Sequence, residues 1–155
     1  MARTSLLRGS AACLLGLLMP MGTLHAAGDD GTAAIRKVLM GRFDKPDARL
    51  VVAPVVVRGR HAVAGWVQGE RGGRALLRRE RGTWKLVACA GDAFKEAAEL
   101  ELAGITPADA RSLAKSLAAA EAKLPAEQVR KLSLFEGVMP MDAEGSRPPH
   151  AGSKP

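Results

Sequence analysis

Met139-Pro140-Met141 places two thioether sulfurs one residue apart in an extended segment near the C-terminus. Thioether and thiolate are the donor types that select cuprous copper over harder ions. Two thioethers alone bind weakly, so a third donor is needed, from His150, from Cys89 or from a partner protein. Each residue also has a plainer reading. The methionine pair suits a hydrophobic latch, and a free cysteine is among the most buried residue types. Cys89 near Asp92, with His61 elsewhere, supplies the side chains of a cysteine hydrolase, but nothing in the spacing fixes a base beside the thiol. No Walker loop, dinucleotide fingerprint, zinc helix motif or hydrolase elbow occurs, and the chain reads as non-catalytic.

These donors must be positioned by the stretch from Arg49 to Asp92, where short apolar runs are separated by Arg58-Gly59-Arg60, by Gly69 to Gly73 and by Arg81-Gly82-Thr83. Runs of that length bounded by glycine predict an antiparallel meander of four strands. Pro54 cannot donate to a ladder, so the first strand is expected at an edge or at a bulge. In the second strand Ala62, Ala64 and Trp66 alternate against Val63, Gly65 and Val67, with Gly65 leaving a gap for a neighbour such as Trp84. Gly72-Gly73 is expected to close the next hairpin, and Trp84, Leu86 and Ala88 to share one face of the last strand. Before the meander, Ile35, Val38, Leu39 and Phe43 follow helical spacing over Ala33 to Phe43, and Asp44-Lys45-Pro46-Asp47 stops that helix. After it, Asp92 is a natural N-cap for a helix to about Ala103. Thr106-Pro107-Ala108-Asp109 starts another, reaching Leu124, and Pro125 starts a last one through Phe135 that Gly137 ends. The expected fold is α+β: an N-terminal helix, a four-stranded antiparallel meander, and two to three C-terminal helices packed on one face. It forms a single domain over residues 28–137, with a flexible tail over residues 138–155.

The first residues have a different character. Arg3 and Arg8 precede the apolar run Ala11 to Met19, and Leu24-His25-Ala26-Ala27 offers small residues for cleavage after Ala26 or Ala27. That order is a secretory signal peptide over residues 1–27, with an apolar run too short to span a bilayer. The expectation is export to the periplasm, with no stable membrane insertion after signal cleavage. Removing that segment takes two arginines and no acid from a chain of net charge +7, leaving about +5. Only Cys89 then remains, so no internal disulfide forms.

Much of the positive charge is arginine in the meander: Arg58, Arg60, Arg71, Arg74, Arg78, Arg79 and Arg81. A basic face can meet nucleic acid, anionic lipid or an acidic protein. Tyrosine is absent and aromatics are 3% of the chain, which leaves no platform for stacking bases. With export this excludes nucleic acid as a partner and leaves a solvated strand face with edge protection, or a surface for an acidic protein.

Phe43-Asp44-Lys45-Pro46, Gly65-Trp66-Val67-Gln68-Gly69, Gly72-Gly73-Arg74-Ala75-Leu76-Leu77 and Cys89-Ala90-Gly91-Asp92 together give the chain a likeness. Over residues 33–137 it resembles the bacterial copper uptake system-associated proteins, small exported proteins associated with copper-acquisition components. The resemblance implies an accessory role in periplasmic copper uptake, as a helper of a copper chaperone, with copper-acquisition proteins of the periplasm or envelope as partners; the methionine pair adds the expectation of a weak cuprous-ion carrier. The resemblance implies no ligand set. The helix-then-meander order is also similar to cone-shaped α+β pocket domains of the nuclear-transport-factor type. That layout suits an arginine-rich adaptor or a small-ligand pocket domain without metal binding.

Overall fold

A computed structural model describes residues 29–141. The leader expected over residues 1–27, and His150, lie outside the described residues. Helix α1 (Asp29–Phe43) starts ahead of its apolar stripe and buries Ile35 and Leu39 completely. Four antiparallel strands follow, β1 (Leu50–Arg58), β2 (His61–Gln68), β3 (Arg71–Glu80) and β4 (Thr83–Ala90), each paired with the next. After a 3-10 helix at Asp92–Lys95 come α2 (Ala97–Leu102), α3 (Pro107–Glu121) and α4 (Ala126–Leu132). The architecture is α+β.

The sheet has five strands, not four. Strand β5 (Val138–Pro140) adds antiparallel to the free edge of β4, with Ala88 opposite Pro140, Cys89 opposite Met139 and Ala90 opposite Val138. Pro140 forces an extended backbone at Met139, and β4 offers a row of unpaired backbone groups that such a segment can satisfy. Residues 138–141 therefore belong to the domain and not to a tail.

The sheet is covered on both sides. Ile35 and Leu39 of α1 pack with Leu50, Ala62, Ala64, Ala75 and Leu77 on one face. Leu100, Leu113 and Leu117 of α2 and α3 pack with Val63, Leu76 and Ala90 on the other. Helix α4 lies on this second face too: a Cβ on Gly72 would sit 2.5 Å from the Lys131 carbonyl oxygen, and Gln128 donates to the Ala53 carbonyl at 3.3 Å.

Local chemistry accounts for the boundaries. Thr106 caps α3, accepting from the Asp109 amide at 3.4 Å with Pro107 in the first turn. Helix α3 stops at Glu121, short of Leu124, because Pro125 excludes helical backbone at the residue before it. Helix α4 likewise ends at Leu132, ahead of Phe135. Asp92 does not cap a helix; its carboxylate is taken by Arg74 and Ser133. Strand β1 is an edge strand irregular between Val52 and Val55, around Pro54. Gly65 makes room for that irregularity, not for Trp84, since a Cβ there would meet the Ala53 carbonyl oxygen at 2.5 Å. The β2–β3 turn is Gly69-Glu70, with Gly69 at φ +61°, and Gly72-Gly73 lie inside β3.

A bulge in β4 decides which side chains face α1. Leu77 pairs with Leu86 but Leu76 pairs with Ala88, so Val87 is an extra residue without a partner in β3. One inserted residue exchanges the two faces for everything that follows. Trp84 and Leu86 point toward α1, Ala88 and Ala90 point away, and Cys89 points toward α1. The face expected for Trp84, Leu86 and Ala88 therefore breaks at Val87.

Candidate functional site

The bulge and the fifth strand together bring three sulfur-bearing side chains, Cys89, Met139 and Met141, to one cavity. Val87, left without a β3 partner, turns its carbonyl outward to accept the Met141 amide at 2.8 Å. That bond extends the register beyond Pro140 and sets Met139 directly opposite Cys89. Residues directly opposite in an antiparallel pair project to the same face, with Cβ atoms about 5 Å apart. Met141, two residues further, packs on the same α1-side core. Cys89, Met139 and Met141 all line one cavity of about 450 Å³.

The walls come from distant parts of the chain. Arg42 and Phe43 arrive from the last turn of α1, Leu50 from β1, Trp66 and Gln68 from β2, and Phe135 from the segment that carries the chain from α4 to β5. Gln68 Nε2 donates to the carbonyl oxygens of Phe43 and Ala48, each at 2.7 Å, and so ties the end of α1 to the sheet. Trp66 pairs with Gly73, and its indole lies across that glycine: a Cβ there would come within 3.0 Å of Trp66 Cζ2 and 2.9 Å of Phe135 Cβ. Phe135 meets the indole edge-on, with centroids 6.1 Å apart at 79°. Trp66 Nε1 is buried without a hydrogen-bond acceptor among the described residues.

Burial pushes the Cys89 thiol up to about 11, against the pull of the Arg42 charge, so at neutral pH it carries its proton. Arg42, Lys45 and Arg71 also line the cavity, and no Asp or Glu does. No cluster of three His, Cys, Asp or Glu that could hold a metal occurs among the described residues. A metal in this cavity would depend on the two thioethers beside the single thiol.

The remaining candidates separate. His61 faces Val63's side of the sheet and Cys89 the α1 side, so they form no nucleophile–base pair. Burial, then the charges of Arg60 and Arg78, hold the His61 imidazole below its usual range. The arginines do not form one face. Arg74 is fully buried: its Nε and Nη2 donate to the two carboxylate oxygens of Glu121 at 2.7 and 2.8 Å, and its Nη1 donates to Asp92 Oδ1 and the Leu132 carbonyl at 3.1 Å. Arg58 pairs with Asp109, Arg78 with Glu80, and Arg79 lies over the Trp84 ring at 5.5 Å.

Trp66, Gln68 and Phe135 line the site without supplying a soft donor atom, so donor chemistry alone does not reveal them. For Trp66 a signal exists: a two-residue Gly69-Glu70 turn fixes the hairpin register and places Gly73 opposite it. Among the described residues no helix is long and apolar enough to cross a membrane. Compared with protein-family models, curated proteins and solved structures, the chain matches none.

Proposed function

We propose that this protein is a non-catalytic accessory factor of copper acquisition in the periplasm, holding a cuprous ion weakly in the cavity lined by Cys89, Met139 and Met141. The observation that carries the reading is the β4–β5 register, which sets Met139 opposite Cys89 while Met141 lines the same cavity. Cys89 and Met139 are 50 residues apart in the chain, and one thiolate with two thioethers is a set that favours a soft monovalent ion. The periplasmic setting and the copper-acquisition partners rest on the leader segment and on the resemblance of the Gly-Trp and Gly-Gly-Arg segments.

Binding replaces the S–H bond of Cys89 by a sulfur–copper bond, releases the proton to water and leaves copper cuprous. No electron moves. The raised thiol pKa and the neighbouring cations both work against holding the ion, which makes the site exchangeable, as a hand-over factor requires.

The test is competition for cuprous ion against a chromophoric chelator under reducing conditions. Met139→Leu with Met141→Leu is expected to abolish binding with the fold retained, the change being nearly volume-conserving. In the parent, affinity should rise about tenfold per pH unit below pH 11, because one proton leaves as the ion binds. Parent-like binding by the double variant, or affinity independent of pH, would remove these residues as ligands.

A further inference from the structure

The same cavity has features that a metal ion does not use. Three cationic side chains line it, Arg42, Lys45 and Arg71, and no carboxylate does. None of the three has an ion-pair partner among the described residues, although ten close ion pairs occur elsewhere in them. Arg42 is instead placed over the Phe43 ring at 5.8 Å, which holds its guanidinium at the end of α1 beside the opening. Deeper in, the lining is apolar: Phe43, Leu50, Trp66 and Phe135. The Trp66 ring faces this lining, while its Nε1–H is buried away from solvent with no acceptor among the described residues. A buried donor without an acceptor is costly and uncommon in a folded protein.

We infer that this cavity binds an organic anion: a small molecule with an apolar body that lies against Trp66 and Phe135, and a carboxylate held among Arg42, Lys45 and Arg71. The cavity, about 450 Å³, lies within the range of small-molecule sites, which are mostly apolar with a few convergent polar groups. Guanidinium and ammonium groups without partners at the opening supply both attraction and a carboxylate fork. The three cations favour an anion over an added cation. The sulfur atoms take no part in holding the anion, which enters the metal-free protein.

Metal-free protein carrying Trp84→Phe leaves Trp66 as its single tryptophan. Its fluorescence is followed on titration with hexanoate, hexanol, hexylamine and acetate. Hexanoate is expected to shift the Trp66 emission saturably, at least about tenfold tighter than hexanol, with hexylamine and acetate showing no saturation up to about 10 mM. Arg71→Gln with Lys45→Gln, at exposed positions without side-chain partners among the described residues, should weaken hexanoate about tenfold and leave hexanol unchanged. Hexanol binding as tightly as hexanoate would reduce the site to an apolar cleft. Acetate matching hexanoate would reduce it to a charged rim, and no saturable response would remove the site. Each of these overturns the inference, and none bears on the copper titration, which is read with a different ligand and different variants.

Discussion

The two faces of the sheet solve opposite problems. On the face opposite α1, the helices after the sheet form a closed layer, and the charge inside it is neutralised in place: Arg74 is fully buried but bonded to Glu121, Asp92 and the Leu132 carbonyl. On the other face a single helix covers the sheet, and the part beyond Phe43 is left to a cavity whose three cationic side chains, Arg42, Lys45 and Arg71, have no ion-pair partner among the described residues. The difference separates a face whose charge is satisfied within the protein from one whose charge is not. The same strands serve both faces. In β3, Arg74 points into the closed side while Gly73 carries the Trp66 indole on the open side.

The sharpest way to break this comparison is on the closed face. Glu121→Ala removes both carboxylate oxygens that face Arg74 and leaves a buried guanidinium with only partial compensation from Asp92. Losing one partner of a buried pair costs about 3–5 kcal/mol, a large fraction of the stability of a domain of this size. Urea denaturation should show stability falling by that amount. A loss under about 1 kcal/mol would mean that the cluster is solvated and the face is not closed. By contrast, Met139→Leu with Met141→Leu on the open face should cost less than about 1.5 kcal/mol while removing cuprous binding. Stability and ligand binding would then be assigned to opposite sides of one sheet.

Most of the scaffold is readable in the chain, because its signals are local. Glycine-bounded apolar runs mark β1 to β4, Thr106-Pro107 marks α3, and Pro54 marks an edge strand. What escapes is what depends on a partner. Strand β5 is three residues long and exists because β4 has a free edge. The Val87 bulge has no glycine or proline to announce it, yet it turns Cys89 to the α1 side. Arg74 reads like its neighbours Arg71 and Arg78, and only the return of α3 with Glu121 makes it a core residue. The sulfur donors are legible as residue types, but their meeting is a tertiary event. Trp66 and Phe135, 69 positions apart in the chain, carry no donor signal at all.

A smaller effect sharpens the same contrast through pH. The Cys89 thiol is raised from an ordinary 9.0 to about 11 by burial on the open face. Between those values the unfolded chain releases the thiol proton while the folded one keeps it, so the unfolded state binds fewer protons and stability falls as pH rises. The contribution is complete below about pH 9 and is lost on passing about pH 11. The quantity to measure is the difference in slope between the parent and Cys89→Ala. The parent should lose stability more steeply over that interval. Equal slopes would mean that the thiol is already solvated through the cavity.

The least effect is expected at the exposed pair between the hairpin end and α3. Arg58 Nε lies 3.3 Å from Asp109 Oδ1, with side-chain exposures of 57% and 39%. It has the same ions as the Arg74–Glu121 pair, an arginine on the meander and an acid on α3, but it lies in water. Exposed pairs are worth at most about 1 kcal/mol because solvent screens them and two long side chains must be ordered to make them. Asp109 also belongs to the α3 cap, where its amide donates to the Thr106 hydroxyl oxygen and its carboxylate accepts from the Thr106 hydroxyl at 3.2 Å. Arg58→Ala, which spares the cap, should therefore lower stability in urea by less than about 1 kcal/mol, with most of the loss gone in about 0.5–1 M salt. A salt-insensitive loss as large as that of Glu121→Ala would show that burial is not what separates the two pairs. The division of the sheet into a closed ionic face and an open one would then have to be redrawn.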